Sequence, residues 1–222
     1  MMSSLPVPVY LETARTRVFA VVPAWPGWCR SGRSADAALQ ALLDYVPRYT
    51  LALQGAGLAF PSIKSVANLQ VVASLPGNAT TEFGAPDRPL PGDELPVEAA
   101  ELERMRAILH ASWQAFDRAV AAAQGKSLRM GPRGGGRDLE KMIAHNSGAE
   151  QAYLTALGGK ARPGASDADL RLAMLETLDA SVRGEIPALG PRGGRRWTPR
   201  FFVRRVAWHA LDHAWELEDR AQ

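Results

Sequence analysis

Residues 202–220, FVRRVAWHALDHAWELEDR, decide how this chain is read. Laid out on a helix at about 100° per residue, Phe202, Val206, His209, His213 and Glu216 fall on one face. Trp208, Leu211 and Trp215 form a second apolar stripe more than a quarter-turn away. Three large apolar groups in line need a cover, from the N-terminal domain or from another subunit. His209 and His213 stand at i and i+4, so their rings lie one above the other. Two imidazoles so placed can grip one cation. A third from a facing helix closes a three-His site and leaves positions free for water or substrate, as catalytic metal sites do.

The third candidate is His145, in DLEKMIAHNSGAEQAYLTAL (residues 138–157). On that helix it shares a face with Met142, Ala149, Ala152 and Ala156. Small residues beside an inward imidazole leave room for a ligand, and they also suit a tight helix crossing. Depth adds a condition. At roughly 1.5 Å of rise per residue, His145 lies about 10–12 Å from the start of its helix, and His209 and His213 lie roughly 15 and 9 Å from the end of theirs. If the two helices run antiparallel, His145 falls between the other two in height. If they run parallel, it misses His213 by nearly two turns. A metal site therefore requires antiparallel helices, and with four helices in succession that requires a crossover. The connection GGKARPGAS (158–166) is long enough to make one.

The competing reading of the three histidines is a set of partly buried rings, each satisfied by a hydrogen bond. The chain has only four histidines, so three at matching height favour metal. The fourth, His110, lacks such support and reads as a surface or core-edge residue. Glu216, one turn past His213, is open to three roles: fourth ligand, orienter of His213, or general base and hence catalytic residue. It can equally be a plain surface carboxylate.

Length and composition set the frame. The chain has 222 residues, a net charge of +3 and one cysteine, Cys29, which cannot form an internal disulfide. No apolar run approaches the roughly 20 residues of a membrane span. The N-terminal stretch has no basic patch followed by an apolar core. These features point to a cytoplasmic protein with no membrane partner. The mild positive charge gives no reason to invoke nucleic acid, and it suits anionic small-molecule ligands. The basic loops carry Arg129, Arg133 and Arg137, and Arg192, Arg195 and Arg196. They read as solvated loops first and as receivers of substrate carboxylates or phosphates second. They also share the repeat Gly131-Pro132-Arg133-Gly134-Gly135 and Gly190-Pro191-Arg192-Gly193-Gly194, which a Gly- and Arg-rich chain can produce by chance.

Working outward, residues 7–14 and 17–23 read as two short strands rich in β-branched and aromatic residues. The loop PAWPGWCRSGRS (23–34) follows, and Ser34 caps a helix over 35–49. Residues 67–75 read as a third strand, with 79–83 a candidate fourth. The Pro- and Gly-dense stretch 84–96 is the domain boundary. Beyond it the pattern is helical only, over 97–123, 138–157, 167–183 and 199–219. Asp138, Ser166 and Thr198 are the caps, and Pro199 takes the first helical position. The expected fold is an α+β module of two or three antiparallel strands plus a helix over 1–90, then an all-α four-helix bundle over 95–222.

The pairing of IAHNSGAEQAYL (143–154) with RRVAWHALDHAWELEDR (204–220) resembles the DinB/YfiT-like metalloenzyme superfamily, over about residues 95–222. The resemblance implies a bundle of up-down-down-up topology, with His145, His209 and His213 as metal ligands. It also implies a divalent transition metal, zinc or nickel, and a low-molecular-weight thiol used in S-transfer, isomerisation or hydrolysis. Three neutral imidazoles leave the cation its full charge, which favours a bound thiolate or a deprotonated water.

The order strand, strand, Pro26-Gly27-Trp28-Cys29, Ser31-Gly32-Arg33-Ser34, helix, strand is similar to HicB-like antitoxin domains, over about residues 5–85. Arg33 stands where the signature has an acid. The resemblance implies a protein partner for the N-terminal domain. Trp28 and Cys29 read as packing residues. Two functional readings follow. One is a metal-dependent enzyme, a thiol S-transferase or a hydrolase, acting on a small molecule. The other is a non-catalytic binding or regulatory protein whose N-terminal module recognises a partner. The sequence leaves a homodimer open.

Overall fold

The computed structural model describes residues 6–130 and 136–222. The chain divides into two compact units, Met1–Pro89 and Leu90–Gln222. The division falls inside the Pro- and Gly-dense stretch that marks the boundary in the sequence.

The first unit carries a four-stranded sheet, with β1 Val7–Thr13, β2 Val18–Val21, β3 Cys29–Gly32 and β4 Leu69–Pro76 in the order β3-β2-β1-β4. β1 and β2 pair antiparallel, as do β2 and β3. β4 pairs parallel with β1, so the sheet is mixed and the expected all-antiparallel module is corrected. Chain order explains this. A helical connection of the length between β3 and β4 can return the chain to run alongside β1.

β3 lies in a stretch that reads as loop, because CRSG has none of the β-branched run that marks a strand. β2 supplies the pairing that its own sequence does not advertise.

Ser34 caps α1 (Ala35–Asp44) by accepting from the Ala37 amide at 3.2 Å. The helix expected to reach residue 49 breaks at Tyr45 and restarts as α2 (Val46–Ala52). Pro47 has no N–H to continue the first helix, and it fits the opening turn of the second.

Residues 79–83 form a short helix, α3 (Ala79–Phe83), where the sequence suggested a strand. Asn78 decides it, since its side chain accepts from the amides of Thr80 and Thr81 at 2.9 and 3.0 Å. Gly84 ends the turn at φ 125°.

The core of this unit is aromatic. Trp25, Trp28, Tyr49 and Phe60 pack with ring centroids 4.8–6.4 Å apart. Trp28 donates to the Leu42 carbonyl and Tyr49 to the Pro26 carbonyl, so neither polar tip is stranded. Cys29 is buried and free, in keeping with a packing role. Gly32 lies so close to α1 that a Cβ there would meet the Ala38 amide nitrogen at 2.5 Å. Glu12, fully buried on β1, accepts from Thr81 and from the amides of Asp87 and Arg88, which ties the segment after α3 to the sheet.

The second unit has four long helices: α4 (Ala99–Ala123), α5 (Leu139–Leu157), α6 (Asp167–Val182) and α7 (Pro199–Arg220). Asp138, Ser166 and Thr198 cap α5, α6 and α7 as the sequence indicates. Polar ties join the helix ends. Arg200 forks onto Glu101, both bonds at 2.7 Å, so the first turns of α7 and α4 meet. The Arg129 amide donates to the Arg220 carbonyl and the Gln222 amide to the Ser127 carbonyl, just past the last turns of α4 and α7. The Trp197 amide donates to the Ala156 carbonyl, which places the end of α5 beside the start of α7. Arg220 donates to the Arg137 carbonyl at 2.8 Å, which places the end of α7 beside the start of α5. Trp208, Leu211 and Trp215 are all buried within the single chain. No helix among the described residues is long and apolar enough to cross a membrane.

Asp93, in the 3-10 turn Pro91–Glu94, forms a two-bond ion pair with Arg204 of α7, both bonds at 2.5 Å. Both partners are buried. Removing one partner of such a pair strands the other charge, at a cost of about 3–5 kcal/mol. Asp93→Ala should therefore lower unfolding stability by about that amount. Urea unfolding followed by circular dichroism at 222 nm measures it; a loss below about 1 kcal/mol would show that Arg204 does not depend on this carboxylate.

Candidate metal centre

Two helix starts set the register of the site. Thr198 caps α7, with Pro199 in the first turn where its missing N–H costs nothing. Asp138 caps α5 by accepting from the Lys141 amide at 2.8 Å. With the start of α5 beside the end of α7, His145 meets His209 and His213.

The ring centroids lie 5.1 Å (His145–His209), 4.9 Å (His145–His213) and 4.5 Å (His209–His213) apart. One ring nitrogen from each lies within 4.8 Å of the others, close enough for the three to hold a metal ion. Nε2 of His145 and Nε2 of His209 are 3.3 Å apart. Two nitrogens on one tetrahedral zinc, at roughly 2.0–2.1 Å each, are separated by about 3.3–3.4 Å. The donor set is therefore of the right type, and the His145–His209 pair has the right spacing. His209 and His213 are buried, and His145 is half-buried at the edge of the cluster.

His209 and His213 each have their Nδ1 engaged as well. His213 Nδ1 lies 3.0 Å from Glu216 Oε2, and Glu216 Oε1 accepts from Arg220 at 2.6 Å. Glu216 is thus held between His213 and Arg220, and it stands outside the three-nitrogen group. The hydrogen bond with His213, ahead of the bond from Arg220, holds its carboxyl below the ordinary range. His209 Nδ1 lies 3.2 Å from Asn146 Oδ1. Asn146 Nδ2 donates to Glu150 Oε1 at 3.0 Å. Tyr153 sets its ring edge-on to His209, with centroids 5.6 Å apart.

Burial, then the neighbouring His213, then Arg137, lowers the pKa of His145 to about 4. Burial, with His213 and His145, drives His209 well below its ordinary value. Both rings are therefore neutral at pH 7, the form that ligates metal. Burial pushes Glu150 up to about 7 against the opposing pull of Arg171 and Asn146.

Asn146 and Glu150 are not singled out by the sequence reading. Around His145 it follows Met142, Ala149, Ala152 and Ala156, yet Ala152 is exposed and Ala149 and Ala156 are half-buried. The buried stripe of α5 is Met142, Asn146, Glu150, Leu154 and Leu157. The signal was available: two polar residues at i and i+4 continue the line of an apolar face. His110 is exposed on α4, edge-on to Trp113, away from the cluster.

Much of the arginine in the loops is committed to structure. Arg195 pairs with Glu94, Arg196 donates to the Pro187 carbonyl and Arg129 to the Asp219 carbonyl. Arg192 is exposed. Arg137 is exposed too, and its charge acts on both His145 and His209. Arg133 and the first copy of the Gly-Pro-Arg-Gly-Gly repeat lie outside the described residues.

Compared with protein-family models, with curated proteins and with solved structures, the chain finds no match.

The depressed histidines give the metal-free protein a pH dependence with a definite sign. Folded, His145 takes its proton near pH 4; unfolded, it does so near 6.5. Between these values the unfolded chain binds more protons, so stability is full above about pH 6.5 and falls as pH drops toward 4. His209 acts in the same direction. Glu150, raised on folding, acts in the opposite direction. Urea midpoints of the metal-free protein from pH 7.5 to 4 should therefore fall less steeply in His145→Ala than in wild type. Parallel profiles would mean that the ring is not desolvated as described.

Proposed function

We propose that this protein is a metal-dependent enzyme whose site is one divalent transition metal on His145, His209 and His213, with further positions open to water or substrate. One observation carries the reading: three ring nitrogens converge within 4.8 Å, and two of the rings are held from behind by Glu216 and Asn146. Rings held only for packing have no reason to converge so closely. The helix arrangement that this requires is a four-helix bundle of up-down-down-up topology. The ties between the starts of α4 and α7, between their ends, and between opposite ends of α5 and α7 support it.

When bound, the cation supplies Lewis acidity, because three uncharged ligands leave its charge free to stabilise a thiolate or hydroxide. The chain's residues do the rest. Glu216 accepts from His213 Nδ1 and turns the other nitrogen toward the cluster; of the roles open to it, orienting His213 is the one its two hydrogen bonds favour. Arg137 adds positive potential at the exposed side, which suits an acidic substrate. A low-molecular-weight thiol as co-substrate follows from the resemblance of residues 143–154 and 204–220 to the DinB/YfiT-like superfamily. Zinc and nickel are the metals that resemblance suggests.

A second reading has an observation in its favour. β4 is an edge strand, and Val71 and Val72 on it are 43% and 57% exposed. An open edge with bare valines is a surface on which another strand can pair. That fits a partner-binding role for the HicB-like module.

Purified protein dialysed against zinc should retain about one equivalent per chain, read by plasma emission spectrometry. Single His145→Ala, His209→Ala and His213→Ala changes should each lose most of it while the helical circular-dichroism signal survives. Full occupancy in all three variants would overturn the site.

With a panel of low-molecular-weight thiols and an electrophilic acceptor, turnover should require both thiol and metal. Ala149→Leu, which enlarges a half-buried side chain one turn from His145, should cut turnover by at least tenfold while the metal stays bound. Turnover without thiol would indicate a hydrolase, and no turnover in a metal-loaded protein would favour the partner-binding reading.

A further inference from the structure

Behind the histidines lies a chain of polar contacts that packing alone does not require. His209 is on α7, Asn146 and Glu150 on α5, Arg171 on α6 and Asp117 on α4. His209 Nδ1 is 3.2 Å from Asn146 Oδ1, and Asn146 Nδ2 is 3.0 Å from Glu150 Oε1. Glu150 Oε2 is 3.8 Å from Arg171 Nε, and Arg171 forks onto Asp117 at 2.7 and 2.9 Å. Asn146 and Glu150 are each 2% exposed. An apolar pair at these two positions would fill the same interior without the desolvation of a carboxyl.

The order of donors and acceptors along this chain has a chemical consequence. Arg171 Nε, 3.8 Å from Glu150 Oε2, makes no hydrogen bond to it, but its positive charge favours the ionised carboxylate, which can only accept. When Glu150 is ionised, its other oxygen accepts from Asn146 at 3.0 Å, and the amide then presents its NH2 group to Glu150 and its oxygen to His209. An amide oxygen can only accept, so the neutral His209 ring must carry its proton on Nδ1. The lone pair is then on Nε2, which faces the cluster 3.3 Å from His145 Nε2. Without the chain, a neutral imidazole is free to place its proton on either nitrogen.

We infer that Asn146 and Glu150 are positioning residues that lock His209 in the Nδ1–H tautomer, holding its Nε2 lone pair ready for a metal ion before any ion arrives. The inference rests on the metal site proposed above and deepens it. Glu216 does the same for His213 by a single contact within α7. The lock on His209 is built from the other three helices, so assembly of the unit is what arms this ligand. In the metal-free state, His145 Nε2 then donates to His209 Nε2.

Long-range nitrogen–proton NMR on 15N-histidine protein, stripped of metal, reads the tautomer of each ring directly. Wild-type His209 should show the Nδ1–H pattern; an Nε2–H pattern would overturn the inference with no variant needed. In Asn146→Leu, His209 should lose its fixed tautomer while His213, held by Glu216, keeps its own. Zinc affinity, measured by competition with a chromophoric chelator, should fall by about 10–100-fold. Glu150→Gln keeps size and an accepting oxygen, and it covers the case in which the leucine variant does not fold. It should give a smaller loss of affinity and a partial loss of the tautomer. If either folded variant retains both the His209 tautomer and wild-type affinity, the inference fails. If wild type binds no zinc, the metal reading fails, yet the tautomer still tests the lock by itself.

Discussion

The helical unit is organised around a buried carboxyl group. Glu150 sits inside α5, 2% exposed, and a carboxyl there must be given partners. Arg171 comes from α6, itself fixed by Asp117 of α4, and Asn146 comes from one turn earlier on α5. Asn146 passes the connection to His209 of α7. One buried acid thereby draws on all four helices. A polar interior of this kind adds less stability than an apolar one, but it admits few alternative registers. A slip of any helix by one turn would leave Glu150 or Arg171 facing hydrocarbon.

That constraint also shapes the electrostatics of the histidine cluster. His145 and His209 are neutral because burial makes charging them costly, and because each would be charged beside His213 and Arg137. The carboxyl groups nearby do not cancel this effect, because they are already bound: Glu216 to His213 and Arg220, Glu150 to Asn146. A site that repels protons yet presents lone pairs is suited to a divalent cation. Elsewhere in the unit, the buried charges of Asp93 and Arg204 are paired with each other.

The helix spacing of the histidines in the sequence and the geometry of the cluster point to the same three residues. The thiol and the choice of zinc or nickel are proposals drawn from the resemblance alone. The geometry contributes the convergence of nitrogens and the hydrogen bonds behind them. The proposed chemistry therefore divides into a part that rests on distances and a part that rests on pattern.

Local rules carried much of the fold. Ser34, Asp138, Ser166 and Thr198 cap helices because a side-chain oxygen beside free amides is a local arrangement, legible from a few residues. His209 and His213 share a face by helix period alone, and the domain boundary follows from its Pro and Gly content. What needed the tertiary structure was whatever depends on a distant partner. β3 is a strand because β2 lies beside it, and β4 runs parallel to β1 because of the path between them. The Asn78 cap and the break at Tyr45 are local signals, but β-prone residues around the first and a continuing apolar period across the second mask them. The sequence alone could say that His145 stands at a compatible height. It could not say that Asn146 and Glu150 turn inward behind it, because helix period places a residue on a face, and only the packing of the other helices makes that face the interior.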